Sequence, residues 1–207
     1  MHVKIGTHNR IPPVILSDVK RRRELGTESD EWKDAMQKDS FICSTCGKEH
    51  DGLPLSFAAD FPDPFANLSL DERDLRATMG SDQCIIDQER FFIRGCLEIP
   101  INGTDEVFLW GLWAQVKEEV FDEISEYWES EGRETCIGPY KGLLANELSI
   151  YGGTLNLRVE IRIQPVGSRP LFFFVEPDNQ MSVEQHNGIP KEKAAEYACL
   201  LLRIANG

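Results

Sequence analysis

Residues 83–116 constrain the fold more than any other stretch. Gln83 to Asp87 and Arg90 to Pro100 are rich in β-branched and aromatic residues, and they flank a polar turn at Asp87-Gln-Glu-Arg90. That is the pattern of a β-hairpin. Asn102-Gly103 is a second turn signal, because both residues tolerate positive φ. Glu106 to Val116 beyond it reads as a third strand and carries Trp110, Gly111 and Trp113. Neighbouring strands joined by turns this short pair antiparallel, so the stretch predicts a meander. Trp110 and Trp113 stand three apart in the last strand and are expected on opposite faces of the sheet.

The remaining elements follow from periodicity. Leu155, Leu157, Val159, Ile161 and Ile163 alternate with Asn156, Arg158, Glu160 and Arg162, which predicts a half-buried strand over 155–164. A partner strand is expected over 169–176, across Pro165-Val-Gly-Ser168. Ser69-Leu-Asp-Glu72 has capping-box form and predicts a short helix to about Met79, stopped by Gly80. Over Lys117 to Ser130, Val120, Phe121, Ile124, Tyr127 and Trp128 take one helical face, and Glu118, Glu119, Asp122, Glu123, Glu126 and Glu129 the rest. Tyr140 to Leu148 is a further helical candidate, and Ile189 to Ala205 predicts the closing helix. Leu53 to Phe65, punctuated by prolines, reads as irregular coil. The expected fold is α+β: an antiparallel sheet made of the 83–116 meander plus strands 155–164 and 169–176, with helices packed on it and an N-terminal Cys/His zinc knuckle.

Two regions are expected. Residues 1–40 are expected as an N-terminal extension, helical or mobile, whose Lys20-Arg21-Arg22-Arg23 run is read either as a docking patch or as a solvated helix face or mobile segment. Residues 41–207 form a single α+β domain. Its composition can support a core, since 41% of the 207 residues are hydrophobic. With 22 Lys+Arg against 35 Asp+Glu the net charge is −13, so a polyanion is repelled on average. Neither nucleic acid nor an anionic membrane is an expected partner. A basic protein would be attracted, although acidity also simply maintains solubility. Met1 to Lys20 holds only the short apolar run Val14-Ile15-Leu16, and Leu171 to Val175 is too short to span a bilayer, so a cytoplasmic location is expected. In a reducing compartment the six cysteines point to metal binding or burial rather than disulfides.

The strongest chemical signal is Cys43-Ser-Thr-Cys46-Gly-Lys-Glu-His50. Two thiols at this spacing can share one Zn²⁺ when the turn between them is tight, and Gly47 can close that turn. His50 is a suitable third ligand and Cys84 the candidate fourth. A structural zinc contributes about 10–16 kcal/mol, comparable with the whole net stability of a typical domain. The competing reading keeps Cys43 and Cys46 as reduced thiols and Cys84 as a buried strand residue. A redox role for the pair is disfavoured, because Gly47 and Pro54 leave no helix for it to open. Arg94 and Arg169 are charged residues next to apolar strands and need partners; each is read as part of an anion or ligand clamp, with Trp110, or as half of a structural ion pair. His186 lies in a polar stretch read as a turn before the last helix. No nucleophile elbow, phosphate loop, zinc-protease helix or dinucleotide fingerprint occurs.

Taken in order, several stretches resemble a bacterial family, Domain of Unknown Function family 2199. They are Cys43-x-x-Cys46-Gly47-x-x-His50-Asp51-x-Leu53-Pro54, Ser81-Asp82-x-Cys84-Ile-Ile-Asp87, Phe91-Phe-Ile-Arg94-Gly95-x-Leu-Glu-Ile-Pro100, Phe108-x-Trp110-Gly111-x-Trp113, Arg169-Pro170 and Glu184-Gln185-x-x-Gly188-Ile189. The resemblance covers about 41–205, supports Cys43, Cys46, His50 and Cys84 as a set, and implies a cytoplasmic bacterial protein without assigning a catalytic residue. The chain departs from the pattern at Asp178-Asn179-Gln180-Met181, where the family tends to have Asp-His-Pro-Leu. The expected function is a non-enzymatic, zinc-stabilised protein-interaction module, of adaptor or immunity type, toward a basic partner. The alternative is a small-molecule-binding enzyme with a pocket near Arg94, Trp110 and Cys84.

Overall fold

The computed structural model describes residues 54–206, together with Val14–Ile15, Ser40–Ile42 and 49–52. Eleven strands are present among them. β1 (Val14–Ile15), β2 (Ser40–Ile42), β3 (Glu49–Asp51) and β4 (Ser56–Ala58) precede the expected meander, and β2 and β3 form a small antiparallel pair of their own. The short strand β5 (Ala77–Met79) follows.

The meander is β6 (Gln83–Ile86), β7 (Arg90–Pro100) and β8 (Val107–Val116). β7 and β8 pair antiparallel from Phe91↔Val116 to Pro100↔Val107. Asp87 and Gln88 both take positive φ, 57° and 55°, as the tight β6–β7 turn requires. Asp87 is held there by Arg76, whose Nε and Nη2 donate at 2.8 and 2.9 Å. At the other turn Gly103 has φ of 78°.

Three further strands close this sheet on itself. β9 (Tyr140–Leu144), β10 (Arg158–Arg162) and β11 (Leu171–Phe174) lie in the order β8-β9-β10-β11-β7, making a five-stranded barrel. Closure depends on Gly95: a Cβ there would stand 2.4 Å from the Phe172 ring and 2.8 Å from Pro170 O. β5 and β6 extend the sheet from β7, and β4 and β1 extend it from β8.

Several expectations need correction. The sheet is mixed, because β7–β11, β4–β8 and β1–β4 are parallel. Residues 140–144 are a strand, not a helix. Gly142 disfavours a helix, and its missing Cβ, 2.9 Å from Ile161 Cδ1, lets β9 fit between β8 and β10. The strand expected over 155–164 spans only 158–162, since Asn156 turns the chain with φ of 66°. The one expected over 169–176 spans 171–174. Part of the supposed coil, Ser56–Ala58, pairs with β8.

The helices are α1 (Asp63–Ala66), α2 (Leu70–Arg76), α3 (Glu118–Glu126), α4 (Arg133–Cys136), α5 (Gln180–Asn187) and α6 (Lys191–Asn206). The capping box of α2 forms, with Ser69 Oγ accepting from Glu72 N at 3.3 Å. That helix stops before Met79 because Ala77–Met79 pairs with β6 instead. No helix among the described residues is long and apolar enough to cross a membrane.

Pleating sorts the side chains into two cores. Phe91, Ile93, Leu97 and Ile99 of β7 join Phe108, Trp110 and Leu112 of β8 in the main core, with Phe57, Phe172, Met181 and Tyr197. Phe92 and Trp113 point the other way, into a smaller core with Ala59, Phe65, Cys84, Ile86 and Ala145. Trp110 and Trp113 are both 0% exposed and do lie on opposite faces.

Candidate functional site

The smaller core is bordered by a charged cluster. Arg94 of β7 is paired in register with Trp113 of β8, and its guanidinium carbon lies 5.7 Å from the Trp113 ring. Its Nη2 donates to Ala59 O at 3.0 Å and its Nη1 reaches Ser81 O at 3.4 Å, while Nε is buried with no partner among the described residues. Arg169, one residue before Pro170, donates through Nε to Asp82 Oδ1. The other oxygen of Asp82 accepts from Ser81 Oγ at 2.7 Å. The two backbones that carry the arginines are locked together, since Cys96 N donates to Pro170 O and Arg94 N to Asp82 O, both at 2.8 Å. Burial, and then the like charge of Arg169, lower the Arg94 pKa, while Asp82 and Asp60 oppose that shift.

A second polar cluster joins the last two helices. Glu184 of α5 is 5% exposed. Its Oε1 accepts from Lys193 Nζ at 2.5 Å, Tyr197 OH at 2.9 Å and Gln180 Nε2 at 3.1 Å, and its Oε2 accepts from Tyr151 OH at 2.8 Å. Burial pushes the Glu184 pKa up, but these donors outweigh it and hold the carboxyl below its ordinary range. Burial raises both tyrosines, and Glu184 raises them further. The neighbouring Gln185 serves the backbone, accepting from Phe174 N and donating to Phe172 O, both at 2.7 Å.

The third feature is a surface. Glu118, Glu119, Asp122, Glu123, Glu126, Glu129, Glu131 and Glu134 are all exposed, while Phe121 and Ile124 anchor α3 to the core. None of these carboxylates forms an ion pair among the described residues. Glu123 accepts from Tyr140 OH at 2.7 Å. Arg133 sits inside this segment, yet it is 2% exposed and donates to the carbonyls of Trp128, Gln164, Pro165 and Ser168. Its charge is turned inward.

Compared with known families, residues 42–189 match the model of DUF2199, described as uncharacterized proteins conserved in bacteria. The chain belongs to that family. No curated protein and no solved structure matches the chain.

The DUF2199 fold brings together some of the residues singled out in the sequence and separates others. Arg94 and Arg169 converge, joined by Asp82, which sequence reasoning missed as a partner although Ser81-Asp82 is among the stretches quoted above. Trp110 does not join them: the pleat turns it into the main core, and Trp113 is the tryptophan beside Arg94. Cys84 is 1% exposed among apolar side chains, and burial pushes its thiol up to about 12. Cys43, Cys46 and the His50 side chain lie outside the described residues, and among the described ones no group of three His, Cys, Asp or Glu could hold a metal. His186 stands in the last turn of α5, where a turn had been expected, and its Nδ1 lies 2.8 Å from Ser182 O. The Glu184 cluster has no periodic signature: Tyr151 lies in a glycine loop, and the positions of Gln180 and Glu184 depend on a helix the sequence did not announce. Asn179 caps α5 and Gln180 donates to Glu184.

Proposed function

We propose that this DUF2199 chain is a non-enzymatic protein-interaction module of the bacterial cytoplasm, with an adaptor or immunity-type role toward a basic protein partner. One observation carries the reading: the eight carboxylates from Glu118 to Glu134 face solvent, and none of them forms an ion pair among the described residues. Paired surface charges have little left for a partner, whereas an unneutralised face attracts a basic protein over about a Debye length and speeds its approach. The stem of the face is rigid, because Phe121 and Ile124 are buried and Arg133 ties its far end to four carbonyls.

The same proposal includes a zinc ion at Cys43, Cys46 and His50, with Cys84 as fourth donor, on the strength of the cysteine spacing. Metal analysis of the purified protein tests it. One zinc per chain, lost in both Cys43→Ser and Cys84→Ser, supports the full set; zinc retained in Cys84→Ser removes Cys84, and a zinc-free wild type removes the metal.

The interaction is tested by affinity capture from a bacterial lysate, comparing the wild type with a Glu118→Lys/Asp122→Lys/Glu126→Lys variant. The expected result is a basic protein that binds the purified wild type directly, more weakly with rising salt, and does not bind the variant. Capture of the same proteins by both would refute the role of this face.

A further inference from the structure

We infer that Arg94 and Arg169 form a binding site for a small monocarboxylate ligand. Both arginines meet Asp82, Arg169 through the side-chain carboxylate and Arg94 by donating its backbone N–H to Asp82 O, and among the described residues only Arg169 has a carboxylate in contact with its guanidinium. Among the described residues the Arg94 guanidinium meets only carbonyls, Ala59 O and Ser81 O, and one of its N–H groups is buried with no acceptor. A purely structural residue at this position is poorly served by a charge, since desolvating a guanidinium and leaving a donor unmade both destabilise the fold. An exchange for an apolar side chain of similar size would lack those penalties. A partly dehydrated cation next to a second one is, however, what holds an anion.

The cluster is also rigid. Trp113 backs the Arg94 guanidinium, and the carbonyls of Ala59 and Ser81 hold its fork. The Arg169 side chain is 25% exposed and that of Asp82 20%, so this end of the cluster is in contact with solvent. The neighbouring charges choose the ligand class. Asp82 touches Arg169 and Asp60 acts on Arg94 through space, so the cluster has little net positive charge to offset the desolvation of an anion, and that penalty grows steeply with ligand charge, which favours a single carboxylate over phosphate.

The test is an NMR titration of the full chain with acetate, inorganic phosphate and chloride at matched ionic strength, following the arginine Nε–H resonances. Acetate is expected to shift the Arg94 and Arg169 signals saturably, with chloride inert and phosphate weaker. Arg169→Gln should weaken acetate binding roughly tenfold or more, a factor equivalent to about 1.4 kcal/mol. Asp82→Asn should strengthen it, because the competing carboxylate is gone; a mere structural ion pair would lose stability and gain no affinity. Absence of a saturable acetate response, tighter binding of phosphate, or an unchanged affinity in Arg169→Gln would each overturn the inference.

Discussion

Removing the carboxylate of Glu184 tests how the end of the chain is attached to the barrel. In Glu184→Ala, Lys193 Nζ, Tyr151 OH, Tyr197 OH and Gln180 Nε2 all lose their acceptor at once. Breaking a buried ion pair by deleting one partner costs about 3–5 kcal/mol. The Lys193 side chain is 35% exposed and regains water, so the lower end, about 3 kcal/mol, applies here. For a chain of this size that corresponds to a fall in melting temperature of about 6–12 °C. Glu184→Gln keeps the shape and one acceptor oxygen, and about 1–2 kcal/mol should be lost. Because the folded carboxyl is held below its ordinary range, the unfolded chain takes up the proton first. The stabilisation is therefore full above about pH 4.5, the ordinary glutamate value, and disappears as pH falls through the lower folded value. Thermal melts from pH 3 to pH 8 should show the wild type and Glu184→Gln converging on the acid side. At the alkaline end, the raised Tyr151 and Tyr197 imply a loss of stability above about pH 10, the ordinary tyrosine value. A Glu184→Ala melting point within about 2 °C of the wild type, below the range derived from chain size, would refute the reasoning, as would a constant gap between wild type and Glu184→Gln across the acid range.

Three further outcomes are expected. Gly95→Ala drives a methyl into the Phe172 ring and Pro170 O at the barrel seam, and chemical denaturation should show a loss of about 1–3 kcal/mol; an unchanged midpoint would mean the seam opens freely. Arg133→Met leaves the carbonyls of Trp128, Gln164, Pro165 and Ser168 without their buried donor and should destabilise by about 3 kcal/mol, read by the same assay. With iodoacetamide at pH 8, peptide mass spectrometry should find the exposed Cys136 alkylated long before Cys84, whose buried thiol is pushed up to about 12; equal rates would contradict the packing.

Legibility varied with the range of the interactions involved. The β6–β8 meander was readable because its strands are consecutive, and the turn at Asn102-Gly103 and the β6–β7 turn set each register locally. The α2 capping box and the amphipathic α3 were readable for the same reason: their partners lie within four residues. Tyr140–Leu144 was misread because Gly142 and Leu144 take their meaning from β8 and β10 on either side. Arg94 and Arg169 were recognisable as charges in need of partners. Which partners they have was not: Asp82 and Arg169 are 87 positions apart, and Ala59 and Arg94 are 35 apart. The Glu184 cluster was missed because Tyr151, 33 positions away, joins it only through folding of the intervening chain.

The amino-acid sequence by itself determined the family, the meander, the acidic helix and the opposed faces of Trp110 and Trp113, because side-chain alternation and turn chemistry act between neighbours. Only the tertiary structure decided that the sheet closes through a parallel β7–β11 contact, that Trp113 rather than Trp110 backs Arg94, and that Asp82 joins two arginines. Those outcomes rest on packing between distant segments, where a missing methyl at Gly95 and the direction of one pleat decide which side chains meet.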